Sequence, residues 1–326
     1  MARRESIVPS VKPAKPAEST KGVYADLQDL VRLQFKARGF SFFPRQPVHS
    51  LLTGRYASRL RGRGLNFEEI RRYLPGDDIR NMDWKVTART RKPHTRVYTE
   101  ERDRPVVLVV DQRLSMFFGS KVDMKSVTAA ELAALAAWRA FDMGDRVGAV
   151  VFNDSETKDI RPHRSRERVM QILRAVVEQN RLLRVDAGIE PGPGMLDRAL
   201  ERADRLVGHD YLVCIASDFS GATDETRRLI TRLAEHNDVL VALIYDPLQT
   251  ELPTKGRWVV SAGDLQMELN IGDAKVRKAV TELFPDRLKD LRDVLRTINV
   301  PVLPIHTSEG VAEQLRQLLG YVPRVR

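Results

Sequence analysis

Cysteine is nearly missing from this chain: Cys214 is the one thiol in 326 residues. A single thiol excludes a disulfide framework and any zinc site built from cysteines. Long apolar runs are missing as well. A membrane-spanning helix needs roughly 18 consecutive apolar residues, and the longest runs here are strand-sized: Val106–Val110, Val147–Phe152, Tyr211–Ala216 and Val239–Tyr245. No apolar stretch follows Met1-Ala2-Arg3-Arg4, so no secretory leader is visible and the expected location is cytoplasmic. The familiar catalytic loops are also absent. There is no Gly-x-x-x-x-Gly-Lys-Ser/Thr segment to cradle a triphosphate, no His-Glu-x-x-His pair and no Gly-x-Ser-x-Gly elbow. The six histidines are scattered without ligand spacing, and Cys214 sits mid-strand as a buried structural thiol.

What is present is enough apolar material for a core, 42% of the residues, and a lopsided charge. Residues 1–104 hold 23 Lys/Arg against 12 Asp/Glu, leaving 31 against 32 in the remainder. The whole net charge of +10 therefore belongs to the first third. Such asymmetry points to an acidic partner, whether nucleic acid, an anionic membrane face or an acidic protein surface.

Residues 1–22, rich in Pro, Lys, Ser and Ala, read as a disordered tail. Residues 23–104 read as a helix over Tyr24–Arg38 followed by a basic, β-rich module. From 105 to 326 the pattern alternates strand and helix, which implies a mainly parallel, doubly wound α/β sheet with right-handed crossovers. A hairpin is expected near 257–270 and a long helix over Ala274–Ile298. Ligands of such sheets bind at the carboxyl ends of the strands, where strand order reverses. Two strand ends carry polar residues: Asp111-Gln112-Arg113-Leu114-Ser115 and Ser217-Asp218-Phe219-Ser220-Gly221.

The segment from Gly54 to Arg104 contains Arg61-Gly62-Arg63-Gly64, Pro75-Gly76-Asp77-Asp78-Ile79-Arg80, Asp83-Trp84 and Thr87-Ala88-Arg89-Thr90. In these motifs the chain resembles the bacterial domain-of-unknown-function-58 family, and residues 105–245 resemble a von Willebrand factor A-like, Rossmann-like domain. The resemblance implies association with MoxR-type AAA+ ATPases and other A-domain proteins, in chaperone-like maturation of target proteins. It also implies a metal-ion-dependent adhesion site, with Asp-x-Ser-x-Ser in the first loop, a threonine in the second and an aspartate in the third. Asp111, Ser115 and Asp218 match that pattern. Arg113 replaces the middle serine, and the threonine position falls at Gly192–Met195, with Gly194 offering no side-chain oxygen.

A guanidinium between Asp111 and Asp218 would make charge-assisted bonds and repel a divalent cation. The expectation is a metal-independent docking rim formed by Asp111, Arg113, Ser115, Gly194, Ser217 and Asp218, with no cofactor; Mg²⁺ at this site is the lesser reading. The rival readings use the N-terminal module. Its arginines and aromatics (Arg55, Arg59, Arg61, Arg63, Arg71 and Arg72 around Tyr56, Phe67 and Tyr73) suit nucleic acid, though no known binding motif is present. Asp77, Asp78 and Asp83 could form a metal-dependent hydrolytic cluster. The plainer reading has these carboxylates locking a turn through Arg80, Arg89 and Arg55, with Trp84 packed inside.

Overall fold

A computed structural model of the chain describes residues 22–38, 65–74, 77–100, 104–184, 189–192, 194–249, 257–262, 265–270 and 300–320. Residues 1–21 of the expected tail over 1–22, the long helix over Ala274–Ile298 and the motif Arg61–Gly64 lie outside them, as do Pro75 and Gly76; the carbonyl of Gly22, the last tail residue, accepts the Met124 N–H at 2.7 Å.

The centre is a six-stranded sheet. Its strands are β3 (Val106–Asp111), β4 (Val147–Phe152), β5 (Thr157–His163), β6 (Leu212–Ser217), β7 (Asp238–Tyr245) and β10 (Val302–His306), in the spatial order β10-β7-β6-β3-β4-β5. All neighbours run parallel except β5, which returns antiparallel beside β4. Every residue of β3, β4 and β6 is buried, as near-continuous Val, Ile, Leu and Ala runs require when helices cover both faces. Alternate residues serve alternate faces. Val106, Leu108 and Val110 pack with helices α3 (Lys125–Met143), α4 (Arg166–Arg181) and α7 (Val311–Leu319). Val109 and Val150 pack with α5 (Met195–Leu206) and α6 (Asp224–His236). The layering is helix–sheet–helix, compatible with a Rossmann-like fold.

Local chemistry sets the element ends. Asn153 Oδ1 accepts the N–H groups of Ser155 and Glu156 and turns β4 back into β5. Thr223 caps α6 in a reciprocal capping box with Thr226. Gly144, at φ 85°, closes α3 in the left-handed conformation that glycine adopts without steric cost.

Helix α1 (Leu27–Arg32) continues as a 3₁₀ turn to Phe35, a shorter helix than the stripe over Tyr24–Arg38 suggests. Leu30 and Ala37 are buried in the same core as α3 and α4, and the Leu30 carbonyl accepts the Trp138 indole N–H. The N-terminal segment is thus packed on the α/β core. Strands β1 (Leu65–Arg72) and β2 (His94–Glu100) pair antiparallel. Between them lies a helix, α2 (Trp84–Thr90), which the reading of short strands and turns does not foresee. Strands β8 (Arg257–Ala262) and β9 (Leu265–Asn270) form the expected hairpin.

Candidate functional site

Strand β3 connects through α3 to β4 on one side, whereas β6 lies on the other, so strand order reverses between β3 and β6. Asp111 and Ser217 end those two strands, which brings the two polar loops together. Asp111 is fully buried and saturated with donors. The Arg113 Nε lies 3.0 and 3.1 Å from its two oxygens and Nη2 at 2.7 Å, while the Arg113 backbone N–H adds a bond of 3.0 Å. The Ser217 hydroxyl donates to Asp111 at 2.6 Å. The third guanidinium nitrogen donates to the Ser220 carbonyl at 3.0 Å, which spans the two loops. The guanidinium also stands 5.6 Å from the Phe152 ring centroid.

Asp218 has its own cation. Lys125 Nζ, at the first residue of α3, donates to Asp218 Oδ2 at 2.6 Å, and Arg113 Nη2 stands 3.9 Å from Oδ1. The Ser220 N–H and the Ser115 hydroxyl bond Oδ1 at 2.9 and 3.3 Å. Two buried carboxylates therefore face two buried cations, and their formal charges cancel. Burial raises the Asp111 carboxyl from its ordinary value, against the opposing pull of Arg113. Burial acts on Asp218 too, but Lys125 and the Ser220 N–H hold that carboxyl below its ordinary value. Asp154 stitches the first and second loops, accepting the N–H of Leu114 at 2.6 Å and of Gly192 at 2.9 Å.

An adhesion-type Mg²⁺ needs free oxygen ligands in a near-octahedral shell about 2.0–2.1 Å away. The oxygens of Asp111 and Asp218 are already engaged by cations, hydroxyls and backbone donors, and Gly194 contributes no side-chain oxygen. The residues do not fit the ion. Among the described residues no group of three or more His, Cys, Asp or Glu could hold a metal.

A second buried network leads away from this pocket. Gln112, between Asp111 and Arg113, donates through Nε2 to the Ser126 carbonyl at 3.0 Å and accepts from Asn180 Nδ2 at 2.9 Å. Asn180 Oδ1 in turn accepts the Ala25 N–H at 2.7 Å.

In the segment before β2 the aspartates lock turns; the expected Arg80 stands 3.9 Å from Asp78, while Asp77 and Asp83 pair with other arginines. Arg71 forms a bidentate pair with Asp77 at 2.8 and 2.9 Å, and Asp77 also accepts the Leu74 N–H. Asp83 caps α2 through the Val86 N–H and pairs with Arg96 at 2.8 Å. Asp78 accepts the Arg80 N–H, while the Arg80 side chain is almost fully exposed. Arg89 is exposed on α2 with none of these carboxylates as partner, and Arg55 lies outside the described residues. Bonds from Arg71 and Leu74 hold Asp77 below its ordinary value; those from Val86 and Arg96 do the same for Asp83. Trp84 is 66% exposed, so the expected packing role is corrected.

The model of the family described as Protein of unknown function DUF58 matches residues 69–288. The chain belongs to this family. Uncharacterized proteins of Mycobacterium bovis and Mycobacterium tuberculosis are each 29% identical to it over 306 residues, covering 93% of this chain and 92% of theirs. Among solved structures, a conserved hypothetical protein BatB from Bacteroides thetaiotaomicron aligns with a TM-score of 0.39 at 11% identity, over 66% of this chain and 98% of that one.

In this DUF58 chain the matched segment spans the carboxylate-locked turn and both loops of the charge tetrad. Lys125 and Asp154 escape sequence reasoning. A lysine at a helix start reads as solvated, and its partner lies 93 residues away. The signal for Asp154 is its place in the turn Asn153-Asp154-Ser155 at a strand end. Cys214 is buried, and burial pushes its thiol up to about 12, which suits an inert core residue.

Proposed function

We propose that the chain is a non-enzymatic interaction protein whose α/β unit is a von Willebrand factor A-like domain with a built-in cation. The observation that carries this reading is the tetrad. Asp111 and Asp218, the carboxylates a metal or an acid–base step would need, are consumed by Arg113 and Lys125. What remains useful is the rim: loops held rigidly by strand ends and cross-linked by Asp154. Phe118 and Val122 are exposed beside the first loop and supply apolar contact area. By family resemblance, the partner is a MoxR-type AAA+ ATPase, which this protein serves as adaptor or co-chaperone. The hydrolytic reading has less support, because Asp77 and Asp83 are each paired with an arginine.

The test is co-purification with the cell's MoxR-type ATPase, using the intact chain and a Phe118→Ser/Val122→Ser variant. Capture by the intact chain and loss of capture by a variant with unchanged thermal unfolding supports the reading. Micromolar Mg²⁺ binding by calorimetry, or failure to recover any such ATPase from cells that contain one, overturns it.

A further inference from the structure

Leu74 and residues 77–92 combine features that a solvated turn does not need. Leu74, Ile79 and Trp84 are 58%, 61% and 66% exposed. The unit that presents them is braced by its own bonds. Asp77 N–H returns to the Leu74 carbonyl, Asp83 N–H reaches the His94 carbonyl, and His94 N–H reaches Thr87 Oγ1. Trp84 with Ala88, and Lys85 with Arg89, are spaced four residues apart and all exposed, so they share one side of α2. Arg91 and Lys92 follow directly and are exposed too. The neighbouring aspartates are committed elsewhere, Asp77 to Arg71 and Asp83 to Arg96. Among the described residues Lys85, Arg89, Arg91 and Lys92 have no carboxylate partner.

Nucleic acid would use the cations and the indole but has no need of two exposed aliphatic side chains. An anionic bilayer uses all of them. Indole and aliphatic groups enter the boundary between headgroups and acyl chains, while Lys and Arg stems lie along it with their charges on lipid phosphates. We infer that this surface docks the protein peripherally on an anionic lipid bilayer. Among the described residues no helix is long and apolar enough to cross a membrane. Seven residues of α2 are too few for an independent amphipathic anchor, and three apolar side chains bury little area. Attachment therefore depends on the anionic charge of the lipid.

The experiment uses the full chain with vesicles of phosphatidylcholine, alone or mixed with phosphatidylglycerol. Co-sedimentation is expected with the mixed vesicles only and falls as salt rises. Brominated lipid quenches tryptophan emission in the bound protein, and Trp84→Phe removes that quenching. Lys85→Gln/Arg89→Gln weakens partitioning by about twenty-five-fold, from the usual contribution of each cation near a charged membrane. Ile79→Ser/Trp84→Ser weakens it on the same vesicles. These side chains are exposed, so thermal unfolding of the variants stays at the wild-type value. The inference is overturned by equal binding to neutral vesicles, or by wild-type binding that is insensitive to salt. It is equally overturned if folded variants bind unchanged, or if single-stranded RNA quenches Trp84 where mixed vesicles do not.

Discussion

Replacing Arg113 by alanine tests the tetrad directly. Asp111 then keeps the Ser217 hydroxyl and the backbone N–H of residue 113 as donors but loses its guanidinium. Breaking a buried ion pair from one side costs about 3–5 kcal/mol, because the orphaned charge cannot reach water. At a urea slope of about 3 kcal/mol per molar, the unfolding midpoint falls by about 1–1.7 M. The pH dependence carries a sign. Without its cation, Asp111 has a folded-state pKa raised above the unfolded value. The variant is therefore relatively favoured at low pH and loses stability as pH rises through that folded pKa. Its deficit against wild type is largest at neutral pH and shrinks on acidification. A companion variant, Arg113→Met/Asp111→Asn, removes both charges at similar volume and leaves Ser217 an oxygen to donate to. It should recover most of the loss, since a well-packed neutral pair replaces a buried ion pair at little cost. The reasoning is refuted if Arg113→Ala unfolds within about 1 kcal/mol of wild type, or if the double variant is no more stable than the single one.

Glu131 on α3 is raised to about 7 by burial, with Asp123 adding to the rise. Its contribution favours the fold below the ordinary carboxylate value and is lost as pH rises through about 7. Glu131→Gln should therefore melt higher than wild type at pH 8, with the difference vanishing as pH falls below the ordinary carboxylate value, by calorimetry. Asn180→Ala leaves the Ala25 N–H and the Gln112 oxygen without their partners. It should cost about 2–3 kcal/mol, and hydrogen exchange should quicken over residues 22–38. Arg71→Ala frees Asp77, whose depressed carboxyl stabilises the turn above its ordinary value and loses that effect as pH falls through the lowered one. By NMR titration of the Asp77 side chain, the variant's midpoint should move upward, toward the ordinary carboxylate value.

The sheet was legible because strands buried on both faces must be apolar throughout, and the runs at Val106, Val147, Leu212 and Val239 are. The carboxyl-end loops followed from strand order and placed Asp111, Arg113 and Asp218 in one pocket. Helix α2 was not legible. Val86, Thr87 and Thr90 are weak helix formers, and the helix exists because Asp83 caps it and Thr87 receives the His94 N–H. The arginine partners of Asp77 and Asp83 were not legible because Arg71 reaches forward from the end of β1 and Arg96 reaches back from β2 to the cap of α2, geometry that a linear reading does not contain. Lys125, Gln112 and Asn180 were missed for a related reason: each looks like an ordinary polar helix or loop residue until the fold supplies a distant partner.

The bond line from Ala25 through Asn180 and Gln112 to Ser126 makes the segment around residue 25 a mechanical neighbour of the pocket. Ser126 follows Lys125, and Gln112 separates Asp111 from Arg113. Tugging on residue 25 therefore loads Gln112, the residue that joins the acid to its arginine along the chain. Detaching residues 22–38 from the core would slacken the same lever from its far end.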